Sequence, residues 1–143
     1  RALGVTAQRM FSDVEVEDLA QGTLVLEDGG LLQICSAMVV HEDQAPTLDV
    51  YGEAGSAHYT AGWWPRLRFR GEGPRRQRPP QRGVHAIHRS LRAFRAWVLA
   101  DEPFLIPAPA ALPALAAVEA IYRAARSGRA EEVTAVSVPQ PSR

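Results

Sequence analysis

The 143-residue chain contains no lysine: all 16 of its basic residues are arginine. No side chain can therefore serve as a Schiff-base amine, an ammonium general acid or a lysine phosphate clamp. Bidentate pairing with carboxylates or phosphates stays within reach of arginine. Cysteine is nearly absent. Cys35 stands alone, which excludes an internal disulfide and any multi-thiolate zinc site within one chain. It lies in an apolar run over residues 31–40, so a buried, inert thiol is expected. No apolar run is long enough to span a bilayer and no signal-peptide pattern is present, so a cytoplasmic location and no membrane partner are expected. The patterns GxGxxG, GxSxG, HExxH and the P-loop are all missing. No fingerprint for a dinucleotide or a nucleotide phosphate is therefore present.

The positive content is that of an ordinary globular chain. Sixteen acidic residues cancel the arginines, so global charge points to no partner. The length suits one domain with a core of useful size, read here as residues 1–138 with a tail at 139–143. The first residue is Arg1 rather than Met, as expected of a fragment or a processed chain.

The first 70 residues carry strand signals. Residues 3–11 form a candidate first strand, and 19–26 a second after the acidic turn at Asp13, Glu15, Glu17 and Asp18. Glu27-Asp28-Gly29-Gly30 then supplies positive φ cheaply and predicts a hairpin. Residues 31–40 are apolar on both faces, which predicts a central strand covered on both sides. Leu48 and Val50 alternate with Thr47, Asp49 and Tyr51, as in a half-buried strand. Glu53-Ala54-Gly55-Ser56 turns the chain into a strand over 57–61. Leu67 and Phe69 alternate with Arg66, Arg68 and Arg70 in a short strand after Trp63-Trp64-Pro65.

Residues 71–83 are mostly Gly, Pro and Arg and predict an exposed loop. The period then changes. Val84, Ile87, Leu91, Phe94 and Val98 fall on one helical stripe, which ends near Ala100. Prolines at 103, 107 and 109 force an extended connector. A second helix starts between Pro109 and Pro113, with Leu115, Val118, Ile121, Tyr122 and Ala125 as its stripe. Gly128 stops it, and residues 133–138 add a candidate edge strand. Strands followed by helices predict an α+β fold: an open, mainly antiparallel sheet with two principal helices on one face.

Three groups carry chemistry. His85 and His88 are spaced i, i+3 near a helix start, but further metal ligands are not evident, so no metal site is assigned and surface histidines are expected. The arginines of residues 66–82, beside Trp63, Trp64 and Phe69, suit phosphates and stacked bases. A solvated loop is the plainer reading, with recognition of a local anion between the two. On an alternating strand one ring of Trp63-Trp64 faces outward, as an interface anchor or a sugar-stacking platform.

Four segments stand in a set order: Leu26-Glu27-Asp28-Gly29-Gly30-Leu31, Leu48-Asp49-Val50-Tyr51-Gly52-Glu53-Ala54-Gly55-Ser56, Leu91-Arg92-Ala93-Phe94-Arg95-Ala96-Trp97, and Glu119-Ala120-Ile121-Tyr122-Arg123-Ala124-Ala125-Arg126-Ser127-Gly128-Arg129. In order and spacing they resemble the hairpin, strand–turn–strand, amphipathic helix and last helix of the Gfo/Idh/MocA oxidoreductases, the glucose–fructose oxidoreductase and inositol dehydrogenase family. The resemblance covers nearly the whole chain. It implies the C-terminal domain of an NAD(P)-dependent oxidoreductase of sugars or polyols, whose N-terminal Rossmann domain is absent from this chain and holds most of the NAD or NADP. It also implies a homo-oligomer, dimer or tetramer, through the open sheet face. The family's Glu-Lys-Pro lysine and helix histidine have no counterpart here, so no catalytic or cofactor-binding residue is assigned, and the chain alone is expected to be inactive. By position, the resemblance puts His41, Gln44, His85 and His88 on the substrate rim, with Trp63 and Arg66 as further candidates. The alternative is a stand-alone dimerising module that holds an anionic ligand or nucleic acid through residues 66–82; nucleic acid is the less expected of the two.

Overall fold

A computed structural model describes residues 1–38, 44–62, 64–72, 83–104 and 106–134, with the side chains of 83–86 left out. Its elements are strands β1 (Ala2–Ala7), β2 (Leu19–Val25), β3 (Leu31–Ala37), β4 (Thr47–Gly52), β5 (Gly55–Thr60) and β6 (Arg66–Gly71), and helices α1 (Gly83–Ala100) and α2 (Ala108–Ser127). Among the described residues the fold is α+β: two antiparallel three-stranded sheets, ordered β1-β2-β3 and β4-β5-β6, and two helices, with no closed barrel. The chain divides into two compact units, Arg1–His41 with Ile106–Arg143, and Glu42–Leu105.

In the first unit the hairpin turn falls where Asp28-Gly29 predicts it. Gly29 has φ 85° and the Asp28 carboxylate accepts the Gly30 N–H at 2.9 Å. Register pairs Ala2 with Leu24 and Gly4 with Gly22, and α2 lies across this face of β1 and β2. The glycine pair allows the close approach. A Cβ on Gly4 would stand 2.3 Å from the Ile121 carbonyl oxygen, and one on Gly22 would stand 2.6 Å from Ile121 Cδ1. Ala2, Leu24, Ala120 and Ile121 form the core, with Ala117 against it. Helix α2 ends on Gly128 at φ 65°, whose N–H donates to the Ala124 carbonyl at 2.9 Å. The chain then returns to the sheet: Ala2 and Glu131 exchange backbone hydrogen bonds at 2.7 and 2.9 Å.

The loop between β1 and β2 is organised by two acids. Asp18 is buried, and its Oδ2 accepts the N–H groups of Arg9, Met10 and Phe11 at 2.8, 2.6 and 3.2 Å. These bonds, with that of Met10 the largest contributor, hold the Asp18 carboxyl below its ordinary value. The Tyr122 hydroxyl of α2 donates to the Glu17 carboxylate. That bond lowers the Glu17 carboxyl and raises the Tyr122 phenol.

Several expectations need correction here. The first strand stops at Ala7, because the amides of Arg9, Met10 and Phe11 turn to Asp18 instead of a ladder. Among the described residues strand β3 is the edge of its sheet, paired with β2 alone, and Cys35 on it is exposed rather than buried. The buried stripe of α2 is Ala116, Ala120, Ile121 and Ala124, whereas Leu115 and Val118 stay exposed. Val133 and Thr134 belong to no strand, and residues 135–138 of the expected edge strand lie outside the described residues.

In the second unit β4 is exposed along its whole length, not half-buried. Helix α1 ends at Ala100, where Asp101 takes the left-handed conformation at φ 53°, a state aspartate tolerates better than most residues. Phe94, Trp97 and Phe104 cluster with ring centroids 5.7 to 6.2 Å apart. Within this unit, among the described residues, no strand packs against α1. Its Ile87, Leu91, Phe94 and Val98 are exposed. Among the described residues no helix is long and apolar enough to cross a membrane.

Candidate functional site

Polar strand residues of the second unit share one face of β4-β5-β6. The two-residue turn at Glu53-Ala54 fixes the register, which places Asp49, His58 and Arg68 in one cross-strand row. The next row holds Thr47, Thr60 and Arg66. Period-two alternation sends all six side chains to the same side, with Leu48, Val50, Ala57, Tyr59, Leu67 and Phe69 on the other.

Neighbouring atoms in these rows are in contact. His58 Nδ1 is 2.5 Å from Asp49 Oδ1, and His58 Nε2 is 3.0 Å from Thr60 Oγ1. The carboxylate only accepts, so Nδ1–H donates to Asp49. In the neutral ring Nε2 is then left to accept the Thr60 hydroxyl proton. Asp49 thereby fixes both the tautomer and the orientation of the imidazole. Such a chain can pass or hold a proton at Nε2, and that atom can bind a ligand hydroxyl that takes the place of Thr60.

Beside this chain His58, Thr60, Trp64, Arg66 and Arg68 line a cleft of about 300 Å3. Arg66, Arg68 and Arg70 occupy alternate positions of β6 and have no carboxylate partner among the described residues. The cleft is therefore cationic, with Trp64 in its lining. Among the described residues no three His, Cys, Asp or Glu side chains stand close enough together to hold a metal ion.

Of the residues picked out by sequence, Arg66 lines the cleft. Gln44 is exposed ahead of β4 and His88 is exposed on α1, and neither lines it. His41, Trp63 and the side chain of His85 lie outside the described residues, as do residues 73–82 of the arginine-rich stretch. Sequence reasoning missed His58, Asp49 and Thr60 as site residues, and it picked out Arg68 as one member of the basic run over residues 66–82. The signal was there: a hairpin centred on Glu53-Ala54 puts Asp49 opposite His58.

No family model matches the chain, and no curated protein matches it in sequence. Solved structures do share its fold. The aldose-aldose oxidoreductase of Caulobacter crescentus, solved with glycerol, matches 90% of this chain at 25% identity with a TM-score of 0.72. An oxidoreductase of Agrobacterium radiobacter, in complex with NAD+, L-tartaric acid and magnesium, matches 90% of it at 16% identity with a TM-score of 0.65. The chain spans 39% of the first protein and 41% of the second. The resemblance to sugar oxidoreductases read from the four sequence segments is thus found again in the fold.

Proposed function

We propose that the chain is the substrate-binding and oligomerising part of an NAD(P)-dependent oxidoreductase that acts on a sugar, a polyol or a similar hydroxyl or carbonyl compound. The observation that carries this reading is the fold shared over 90% of the chain with an aldose-aldose oxidoreductase. The neighbour solved with NAD+ supports a nicotinamide cofactor.

The described residues do not themselves form a dinucleotide cradle. Helix α2 opens with Pro107, Ala108 and Pro109, which removes amide donors from the end that would face a pyrophosphate. The glycines at close approach, Gly4 and Gly22, are filled by Ile121 of the same chain. In this reading NAD or NADP is held by an N-terminal domain of the intact protein and supplies the hydride chemistry. This chain binds and orients substrate. His41, Gln44, Trp63, Arg66, His85 and His88 are the proposed rim, and none of them is assigned a catalytic role. Exposed Leu3, Val5 and Leu31 on the outer face of β1-β2-β3 support assembly into a dimer or tetramer. The proposed location is the cytoplasm.

The test is nicotinamide reduction by the full-length protein, with NAD+ and NADP+, against a panel of aldoses and polyols. Turnover with at least one of them is expected, and none for the 143-residue chain alone. A full-length protein that binds neither cofactor sinks the reading. One that binds a cofactor but turns over no sugar or polyol sinks the substrate class.

A further inference from the structure

We infer that the face of β4-β5-β6 bearing His58, Thr60, Arg66 and Arg68 binds a monosaccharide-sized ligand that carries an oxyanion, a carboxylate or a phosphate. The charge balance of the face is the first argument. Asp49 is the only carboxylate that the three strands place on it, and His58 already engages it at 2.5 Å. Arg66, Arg68 and Arg70 are left side by side on alternate positions of one strand, with no carboxylate partner among the described residues. Like charges aligned this way repel one another, and a bound anion relieves the repulsion. Guanidinium groups present paired N–H donors that match the two oxygens of a carboxylate or phosphate.

Size and lining are the second argument. A cleft of about 300 Å3 sits at the small end of ligand sites, too small for a dinucleotide and suited to one sugar ring. Trp64 supplies an aromatic wall of the kind that packs against sugar C–H groups. The Thr60 hydroxyl gives its proton to His58 Nε2 and keeps its oxygen lone pairs as acceptors for a ligand hydroxyl, and Nε2 can accept from a ligand hydroxyl that takes the place of Thr60. Orientation by Asp49 means that the imidazole needs no reorganisation when the ligand arrives. The sugar part of the proposal rests on the oxidoreductase reading, and the anion part rests on the sheet alone.

The probes are gluconate, a hexose monophosphate, inorganic phosphate and neutral glucose. Each is titrated into the 143-residue chain, with NMR observation of the arginine Nε–H and His58 ring resonances and calorimetry for affinity. The expected result is saturable binding of gluconate or the hexose phosphate, at least about tenfold tighter than glucose, with shifts at Arg66, Arg68 and His58. Whichever of the two binds tighter identifies the oxyanion. Arg68→Gln should weaken that ligand about tenfold and leave the weak glucose affinity in place. Arg70→Gln, outside the cleft lining, should change it much less. Unshifted Arg66, Arg68 and His58 resonances with every anion overturn the proposal, as does equal affinity for glucose and gluconate. So does an R68Q chain, folded by circular dichroism, that binds as the parent does. Anion binding that persists while the full-length protein transfers no hydride supports the site and sinks only the oxidoreductase reading.

Discussion

Gly4 and Gly22 face each other across β1 and β2, and the seat of α2 depends on their missing side chains. The two differ in what a methyl group would meet. At Gly4 it is the Ile121 carbonyl oxygen at 2.3 Å, which is backbone and cannot step aside. At Gly22 the three nearest atoms all belong to the Ile121 side chain, at 2.6 to 2.9 Å. Both Gly→Ala changes should destabilise the first unit by about 1–3 kcal/mol, which outweighs the roughly 0.4–1 kcal/mol gained from a stiffer unfolded chain. Shortening Ile121 to Val or Ala should rescue Gly22→Ala in part but not Gly4→Ala, as read by urea unfolding of the double variants. Equal rescue at both sites would show that the helix backbone yields after all. The acids of the β1–β2 loop give a second prediction. Tyr122 holds Glu17, and the Met10, Arg9 and Phe11 amides hold Asp18, below their ordinary values. Folding therefore favours the ionised forms. The stability they contribute is complete above the unfolded carboxyl values near pH 4 and is lost as pH falls through the lowered folded values. The urea midpoint should drop as pH falls below about 4, and the double variant Glu17→Gln, Asp18→Asn should show a shallower drop from a lower neutral-pH stability. An unchanged slope would leave these two carboxyls without a part in acid unfolding.

At the scale of elements, local signals were legible and long-range seating was not. Gly29 and Gly128 take left-handed backbone, a state read from the residue itself, so the hairpin and the end of α2 fall where the sequence places them. The stop of α1 at Ala100, before Asp101, is local in the same way. The buried face of α2 is a different matter. Hydrophobicity puts Leu115 and Val118 on the core stripe with Ile121, but α2 lies so close to the sheet that Ala116, Ala120 and Ala124 are buried there, and of the large side chains Ile121 is buried because Gly4 and Gly22 make room for it. Strand β3 reads as central because both its faces are apolar, but apolarity does not reveal position in a sheet, and among the described residues β3 stands at the edge. The Asp49–His58 pair has the same cause: each residue alone is unremarkable, and only register joins them. Arg66 was visible as one of a basic run, while the choice of Arg68 over Arg70 as its partner in the cleft is a matter of position along β6. A pair of substitutions tests the helix argument. Ala120→Leu, at 0% exposure, should cost about 1–3 kcal/mol by overpacking. Leu115→Ala, at 62% exposure, should lie within about 0.5 kcal/mol of the parent. Thermal or urea unfolding decides between them, and the reverse order of costs would restore the stripe read from hydrophobicity.

At the scale of the whole molecule, the proposed assembly rests on the exposed apolar residues of the outer face of β1-β2-β3. Alternation puts Leu3, Val5, Val25, Leu31 and Cys35 on the side of β1-β2-β3 turned away from α2, together with Gln21, Thr23 and Gln33. Leu31 is 69% exposed and Val5 66%. A contiguous, weakly polar sheet face of this kind is uncommon on a monomer and ordinary at the centre of an oligomer interface. No arginine or carboxylate from the three strands interrupts it, so association through it should be driven by apolar burial rather than by ion pairs. Salt then separates this interface from the cationic face of β4-β5-β6. Self-association should persist or strengthen at high ionic strength, where screening weakens contacts between exposed charges. The full-length protein should run as a dimer or larger species by light scattering. Val5→Arg combined with Leu31→Arg should shift it toward monomer by at least about a hundredfold in dissociation constant, since each variant subunit brings charges into an apolar contact. The substituted side chains point away from Ile121 and the core around it, so the variant should keep the parent's unfolding midpoint when measured at concentrations where both are monomeric. A parent protein that stays monomeric at high concentration refutes assembly through this face. A variant that assembles like the parent moves the interface to another surface.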